Sequence, residues 1–253
     1  MVVGEEVIEV KIGVSGAGNI GATLARKLVA CGHEVKLANS KGPESLQNLV
    51  SEIGAHAVTK EEAVSEVGVV ILSIPFPKYP DLKQTLKNVP EKVVVIDTSN
   101  YYPGRDGAII EVDDGKPVNV WVSEQFSRPV IKAWNAVLAA TLADNRQPTG
   151  SSTRIGLHVA GDDTHAEAVA QDLVEDTGFI ALAAGSLEDS WRQQPGTPAY
   201  CTELTLPELK MALEAADKVR APQNRDALIA KFMVPGSQFT DEQIVATNRA
   251  RTA

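Results

Sequence analysis

Short apolar runs alternate with helical patterns from the start of the chain. The stretch "VIEVKIGVSG" ends in a buried-looking strand, Lys11 to Ser15, and a glycine turn follows it. From about Asn19 to Ala30 the residues Ile20, Leu24 and Leu28 recur at four-residue spacing, which lays one apolar stripe along a helix. Cys31-Gly32-His33 closes that helix with glycine at a left-handed cap, and "EVKLAN" is the second strand. The pattern then repeats: a helix through "PESLQNLVSEIG", a short strand near Ala55 to Val58 and a short helix within "KEEAVSEV". "VVILSIP" is nearly all apolar, so it reads as a central strand covered on both faces, and Pro75 and Pro77 end it. A helix or turn covers Asp81 to Asn88, and "KVVVIDTSN" is another central strand whose polar tail begins at Asp97. Five strands with helical crossovers predict an α/β fold built on a doubly wound parallel sheet.

Beyond Tyr102 the pattern loosens. "PVIKAWNAV", "RIGLHVAGDD" and "GFIALAAG" each offer a strand, with a helix over Thr164 to Asp176, and the turn-rich loop 143–153 reads as exposed. After Gly185 a proline-studded stretch, "SLEDSWRQQPGTPAY", leads to helical segments over Pro207 to Arg220 and Arg225 to about Phe232. The tail "DEQIVATNRARTA" is a short helix or a frayed end. The organisation expected is a main α/β domain, residues 1–183, and a small C-terminal lid, docking or dimerisation element, residues 184–253.

Charge and cysteine usage narrow the partners. The 253 residues hold 24 Lys plus Arg against 33 Asp plus Glu, a formal charge of −9 with no dense basic run. Nucleic acid and anionic membranes are therefore not expected as partners. Cys31 and Cys201 are the two cysteines, and Cys31 falls at a predicted helix end, so no disulfide framework is expected and a reducing cytoplasm is the simpler setting. The start "MVVGEEVIEVK" lacks a basic n-region and a long apolar stretch, and no apolar run reaches the length that spans a bilayer.

Chemistry enters with "GAGNIG". Gly16, Gly18 and Gly21 stand in the G-x-G-x-x-G spacing, between a predicted strand and an amphipathic helix. The first glycine permits a tight turn, the second lets backbone approach a pyrophosphate, and the third lets helix pack on strand. The helix N-terminus then points free N–H groups and its positive end at the phosphates. About 20 residues on, such chains usually place an acid for the ribose 2′-hydroxyl. Here "LANSKGP" sets Asn39, Ser40 and Lys41 at that place. An acid repels a 2′-phosphate, whereas an amide, a hydroxyl and an ammonium donate hydrogen bonds to one, so NADP is favoured over NAD. A plain solvated turn stays open as the alternative.

"IGVSGAGNIGATLARKLVACGHEV", "NSK", "VVILSIPF" and "DTSNYYPGRDG" together resemble the NADPH-dependent coenzyme F420 reductases, over about residues 10–190. The resemblance implies a Rossmann-type domain, a small C-terminal element, usually a homodimer, and NADP held with its nicotinamide against a flat acceptor. By motif it implies that Ala17, Gly18, Asn19 and Ile20 hold the pyrophosphate and Ser40 and Lys41 the 2′-phosphate. Ile74, Pro75 and Phe76 would line the ribose and nicotinamide, with Ser99 and Asn100 at the end of the next strand. "KAWNAVLAA" would back the acceptor, making Trp134, Asn135 and Ala136 candidates for the hydride-transfer face. The C-terminal stretch from "TELTLPELK" onward departs from the family pattern, which leaves acceptor and dimer geometry open.

Hydride transfer needs the nicotinamide close to an acceptor in a dry pocket, and a flat deazaflavin or flavin acceptor requires no acid or base. No serine stands in a nucleophile-elbow pattern. Of His33, His56, His158 and His165, none pairs at metal-ligand spacing, so no metal is expected. His158 is a core or edge histidine or, failing that, the candidate general acid; Asn135 is the other catalytic candidate. Asp162-Asp163 reads as a helix cap rather than a metal site. Trp191-Arg192 reads equally as a surface loop or a lid over an anionic acceptor, and Tyr101 to Asp106 follows a strand end, where ligands of such folds bind. The expected activity is NADP-dependent hydride transfer to a small-molecule acceptor such as F420 or a flavin. Two alternatives remain: an imine or keto reductase using His158 or Tyr102 as proton donor, and a non-catalytic NADPH-sensing protein.

Overall fold

The computed structural model describes residues 9–144, 151, 153–234 and 236–253. Most of the expected loop 143–153 and the first eight residues therefore lie outside the described residues. In chain order the elements that position the site begin with β1 (Lys11–Ser15), α1 (Asn19–Ala30), β2 (Glu34–Ala38), α2 (Gln47–Ile53), β3 (His56–Ala57) and β4 (Val69–Leu72). There follow α3 (Tyr79–Leu86), β5 (Val94–Asp97), two single turns α4 (Pro103–Asp106) and α5 (Ile110–Asp113), α6 (Val118–Phe126), β6 (Ile131–Lys132) and α7 (Ala139–Asp144). The chain closes with β7 (Gly156–Val159), α8 (Thr164–Asp176), β8 (Ile180–Ala183), α9 (Leu206–Glu214), α10 (Arg220–Phe232) and α11 (Asp241–Thr252).

Six strands form one parallel sheet in the order β3-β2-β1-β4-β5-β6, which is the doubly wound Rossmann arrangement. The all-apolar strands follow from burial on both faces. Along β4, Val69 and Ile71 join the cluster under α1, α2 and α8, while Val70 and Leu72 face the opposite way into a second cluster. Along β5, Val94 and Ile96 take the first side and Val95 the second, as a period of two requires. The second cluster is aromatic: the Phe76 ring stacks on Tyr79 at 5.1 Å and lies 5.6 Å from both Tyr101 and Trp121.

Strands β7 and β8 form a separate parallel pair connected through α8, and the antiparallel bridge Lys132–Ala160 ties them to the end of β6. Asp163 caps α8 by accepting from the Ala166 N–H at 2.8 Å, and Asp162 accepts from the Leu187 N–H, so the acidic pair is structural. The end of α8 is tied to α1 by Lys27 Nζ on the Thr177 carbonyl and to the turn after α1 by His33 Nε2 against Asp176 Oδ2, both at 3.0 Å.

The structure differs from the sequence reading in three places. "VNVWVSEQF", to which the sequence reading assigned no element, is α6, and its Val118, Trp121 and Val122 bury against the aromatic cluster. The strand in "PVIKAWNAV" stops at Lys132, since Trp134 takes φ +55° and turns the chain. The helix expected over Pro207 to Arg220 ends at Glu214, and the next begins at Arg220 rather than Arg225. The tail is a full helix, α11, started by a reciprocal Thr240/Gln243 capping box.

Candidate functional site

The glycine turn joins β1 to α1, and its three glycines meet different surroundings. A Cβ on Gly16, whose φ is +112°, would stand 2.0 Å from the Ser73 carbonyl oxygen, and one on Gly21 would stand 2.0 Å from the Gly16 carbonyl oxygen. These two are glycine because backbone passes over backbone there. A Cβ on Gly18 would meet nothing within 4 Å. Gly18 is also the N-cap of α1, and no side chain caps the first N–H groups of the helix. Ala17 is half-buried, Asn19 is exposed and Ile20 packs partly on the core, which leaves the lip of the turn accessible. An uncapped helix N-terminus with a bare backbone corner in front of it fits a pyrophosphate.

At the end of β2, Asn39 works on the loop itself. Its Oδ1 accepts from the Lys41 N–H at 2.8 Å and its Nδ2 donates to Ser45 Oγ at 2.9 Å, while Ser45 Oγ donates to the Gly42 carbonyl. That Asx-type turn holds Ser40 and Lys41 on the exposed rim. Asn39 thus shapes the loop, and the two side chains beyond it are the ones presented outward.

At the other end of the crevice, Ile74 is half-buried and Pro75 exposed just past β4. Phe76 departs from the expectation that it lines the nicotinamide. Its ring is 2% exposed and belongs to the aromatic core, because the 3-10 turn starting at Pro75 swings it under the sheet edge. Ser99, also expected to face the cofactor, is directed inward, with its N–H and Oγ both donating to Asp97. Asn100 and Asn135 pair across the ends of β5 and β6: Asn100 Nδ2 donates to the Asn135 carbonyl at 2.6 Å, and Asn135 Nδ2 donates to Asn100 Oδ1 at 3.2 Å. Asn135 Nδ2 also reaches the Gln193 carbonyl at 2.9 Å, and its Oδ1 has no partner. Trp134, expected on the hydride-transfer face, is 1% exposed and donates its indole N–H to Thr177 Oγ1. Its positive φ turns the ring into the core beneath the sheet. Ala136 is buried and anchors Cys201 by accepting its N–H at 3.1 Å.

Beneath these ends lies a polar chain that the sequence reading missed. Tyr79 Oη donates to Asp97 Oδ1, Asn119 Nδ2 donates to Asp97 Oδ2 at 2.6 Å, and Lys132 Nζ donates to Asn119 Oδ1. Asp97, Asn119 and Lys132 are each 0% exposed. Asn119 therefore stands as a neutral link between a buried carboxylate and a buried ammonium. Burial pushes the Lys132 pKa down to about 8, with Asp97 opposing the shift. The one signal available in sequence was a lysine inside an apolar run, "PVIKAW".

His158 departs from its role as candidate acid. It is 1% exposed in the middle of β7, neither ring nitrogen has a hydrogen-bond partner, and burial together with the charge of Lys132 lowers its pKa to about 4. The ring is neutral at ordinary pH, the wrong form for a general acid. The phenols are better placed. Tyr102, two residues past Asn100, meets Tyr200 hydroxyl to hydroxyl at 2.7 Å, and Arg105 stacks on its ring at 4.8 Å. Tyr200 comes from the proline-studded segment, which folds over the strand ends through the contacts of Gln193 and Cys201.

A doubly wound parallel sheet with an open glycine corner at the start of its first helix places the chain in the dinucleotide-binding α/β class. Residues 11–101 match the family model described as NADP oxidoreductase, coenzyme F420-dependent, and the chain belongs to that family. Protein YjhV of Escherichia coli (strain K12) is 40% identical over 106 residues, covering 42% of this chain and 77% of that protein. Among solved structures, the hypothetical protein SMa0349 from Sinorhizobium meliloti is 28% identical, with TM-score 0.65 over 78% of this chain and 96% of the other. A protein from Arthrobacter sp. FB24, assigned as an F420-dependent NADP reductase, shares the fold at 19% identity, with TM-score 0.56 over 70% of this chain and 86% of the other. Among the described residues no helix is long and apolar enough to cross a membrane.

Proposed function

We propose that the chain binds NADP(H) and passes a hydride between its nicotinamide and a flat acceptor of the coenzyme F420 or flavin kind. The observation that carries the cofactor half is the pairing of an open Gly18 corner at the uncapped start of α1 with exposed Ser40 and Lys41 at the end of β2. In this reading Gly16 to Gly21 hold the pyrophosphate and Ser40 and Lys41 hold the 2′-phosphate, with Asn39 setting their loop. Ile74 and Pro75 border the ribose, and the Asn100–Asn135 pair closes the floor under the nicotinamide. Family membership supports the acceptor half.

The cofactor assignment is tested by titrating NADP and NAD against the parent and the Lys41→Ala variant. Loss of the ammonium is expected to weaken NADP by about tenfold, roughly 1.4 kcal/mol, with NAD unaffected. Equal NADP affinity in variant and parent overturns the 2′-phosphate role. The acceptor is tested by following reduced-nicotinamide absorbance with F420, flavins, imines and ketones.

A second reading, an imine or keto reductase, is favoured by the Tyr102–Tyr200 pair. Burial pushes the Tyr102 phenol up to about 12 and Tyr200 well above its ordinary value, so both hold their protons as a proton donor must. Turnover of a carbonyl or imine, abolished in Tyr102→Phe, selects that reading over F420 reduction.

A further inference from the structure

Between the proline-studded segment and helices α10 and α11 lies a cavity of about 240 Å³, lined chiefly by apolar side chains. It begins beside the floor of the site: Tyr102 follows Asn100 by two residues, Leu138 follows Ala136 by two, and both line it. One wall is a single face of α10, where Arg225, Leu228, Ile229 and Phe232 recur at helical spacing. Three of these four are the apolar residues an inward face calls for, and the fourth is an arginine.

Arg225 brings a cation to this wall. Its side chain is 15% exposed, and its Nε meets the solvent-side carboxylate of Asp226 at 2.8 Å. No described group accepts from its two terminal nitrogens. A guanidinium in that state presents a planar fork, matched to an anion that accepts two parallel hydrogen bonds. The turn beside it is built to close range. Gly196 has φ +90°, and a Cβ there would stand 2.1 Å from the Ala221 carbonyl oxygen and 2.6 Å from the backbone nitrogen of Arg225, so the turn packs directly on the backbone of α10. Across the cavity, the Tyr102 and Tyr200 hydroxyls form a mutual pair, in which one hydrogen is used between the two oxygens.

We infer that this cavity binds a small organic carboxylate with an apolar body, its carboxylate on Arg225 and its body against Leu228, Ile229 and Phe232, as the acceptor-side subsite of the reductase. Size and charge set the class. The volume falls below the roughly 300–1,000 Å³ usual for drug-sized ligands, which calls for a small occupant. Beyond its Nε contact with Asp226 the guanidinium keeps two terminal nitrogens, and a fork of two N–H donors matches the two oxygens of one carboxylate. The identification of the ligand as acceptor rests on the imine or keto reductase reading above, since a cavity of this size does not take F420 or a flavin; the binding site itself rests on neither reading.

The test separates the two. Binding of hexanoate, phenylacetate and 2-oxohexanoate, and of the primary amides of the first two, is measured on the full chain with NADP present, by ligand-observed NMR and thermal shift. The carboxylates are expected to bind at least tenfold more tightly than their amides. Arg225→Gln should remove that preference, and Leu228→Trp, which fills the cavity, should block carboxylate and amide alike, with NADP affinity unchanged in both. The inference is overturned if amide and carboxylate bind alike to the parent, if Arg225→Gln keeps the preference, or if no carboxylate binds a parent chain that binds NADP. The comparison of amide with carboxylate on the parent decides the matter even where a variant folds poorly. Carboxylate binding without NADPH oxidation by F420, flavins or any carbonyl or imine of the panel keeps the cavity and removes the hydride-transfer reading.

Discussion

Glycines at three positions of one turn answer to different constraints, and substitution separates them. Gly16→Ala places a methyl 2.0 Å from a backbone oxygen at φ +112°, with no flexible side chain to give way. It is expected to cost well over about 1 kcal/mol of stability, read as a lowered Tm. Gly18→Ala meets open space and should leave the Tm in place while weakening NADP by tenfold or more, since the methyl enters the corner the phosphates approach. A Tm loss equal to that of Gly16→Ala would show Gly18 to be structural. The spacing of these glycines was readable in the sequence because backbone geometry allows few residues there. Asn39 was readable only as a missing acid; its hydrogen bonds to Lys41 and Ser45 depend on the fold of a loop that no periodicity encodes.

Helices and strands explain which parts of the site could be foreseen. The central strands announce themselves because both their faces are buried, so β4 and β5 carry almost no polar residue before Asp97. The floor of the site could not be read the same way. In "KAWNA" the residue expected to face the acceptor, Trp134, points into the core, and the residue passed over, Lys132, is bonded at one end of a buried polar chain. What decides this is the turn at Trp134, a tertiary outcome, together with α6, which brings Asn119 between Lys132 and Asp97. The sequence reading assigned no element to α6 itself. Because Asn119 links the two buried charges, Lys132→Met leaves Asp97 without a cation and Asn119 Oδ1 without a donor. Loss of one partner from such an arrangement costs roughly 3–5 kcal/mol, to be measured by denaturant unfolding. A loss below about 1 kcal/mol would mean that the chain contributes little to holding the ends of β5 and β6.

Two buried bases also give the whole molecule a stability profile with defined signs. His158 titrates at about 4 in the folded chain because burial and the nearby Lys132 charge disfavour the imidazolium, against 6.5 when unfolded. Between those values the unfolded chain binds a proton that the folded chain refuses, so stability present above pH 6.5 is lost on acidification toward pH 4. At about 1.4 kcal/mol per pH unit the loss amounts to roughly 3 kcal/mol. Lys132 acts in the same direction at higher pH: with a folded value of about 8 below its ordinary 10.5, stability rises as pH is raised through that window. Surface carboxylates and lysines titrate over parts of both ranges, so the informative quantity is the difference between parent and variant. Unfolding free energies of the parent and of His158→Gln, measured from pH 4 to 8, should converge toward acid, because the variant lacks the group whose protonation penalises the folded state. A pH-independent gap between the two curves would show that His158 takes up its proton as readily in the folded chain as in the unfolded one. That result would require solvent or a carboxylate to reach a ring that both β7 and the Gln193 segment enclose.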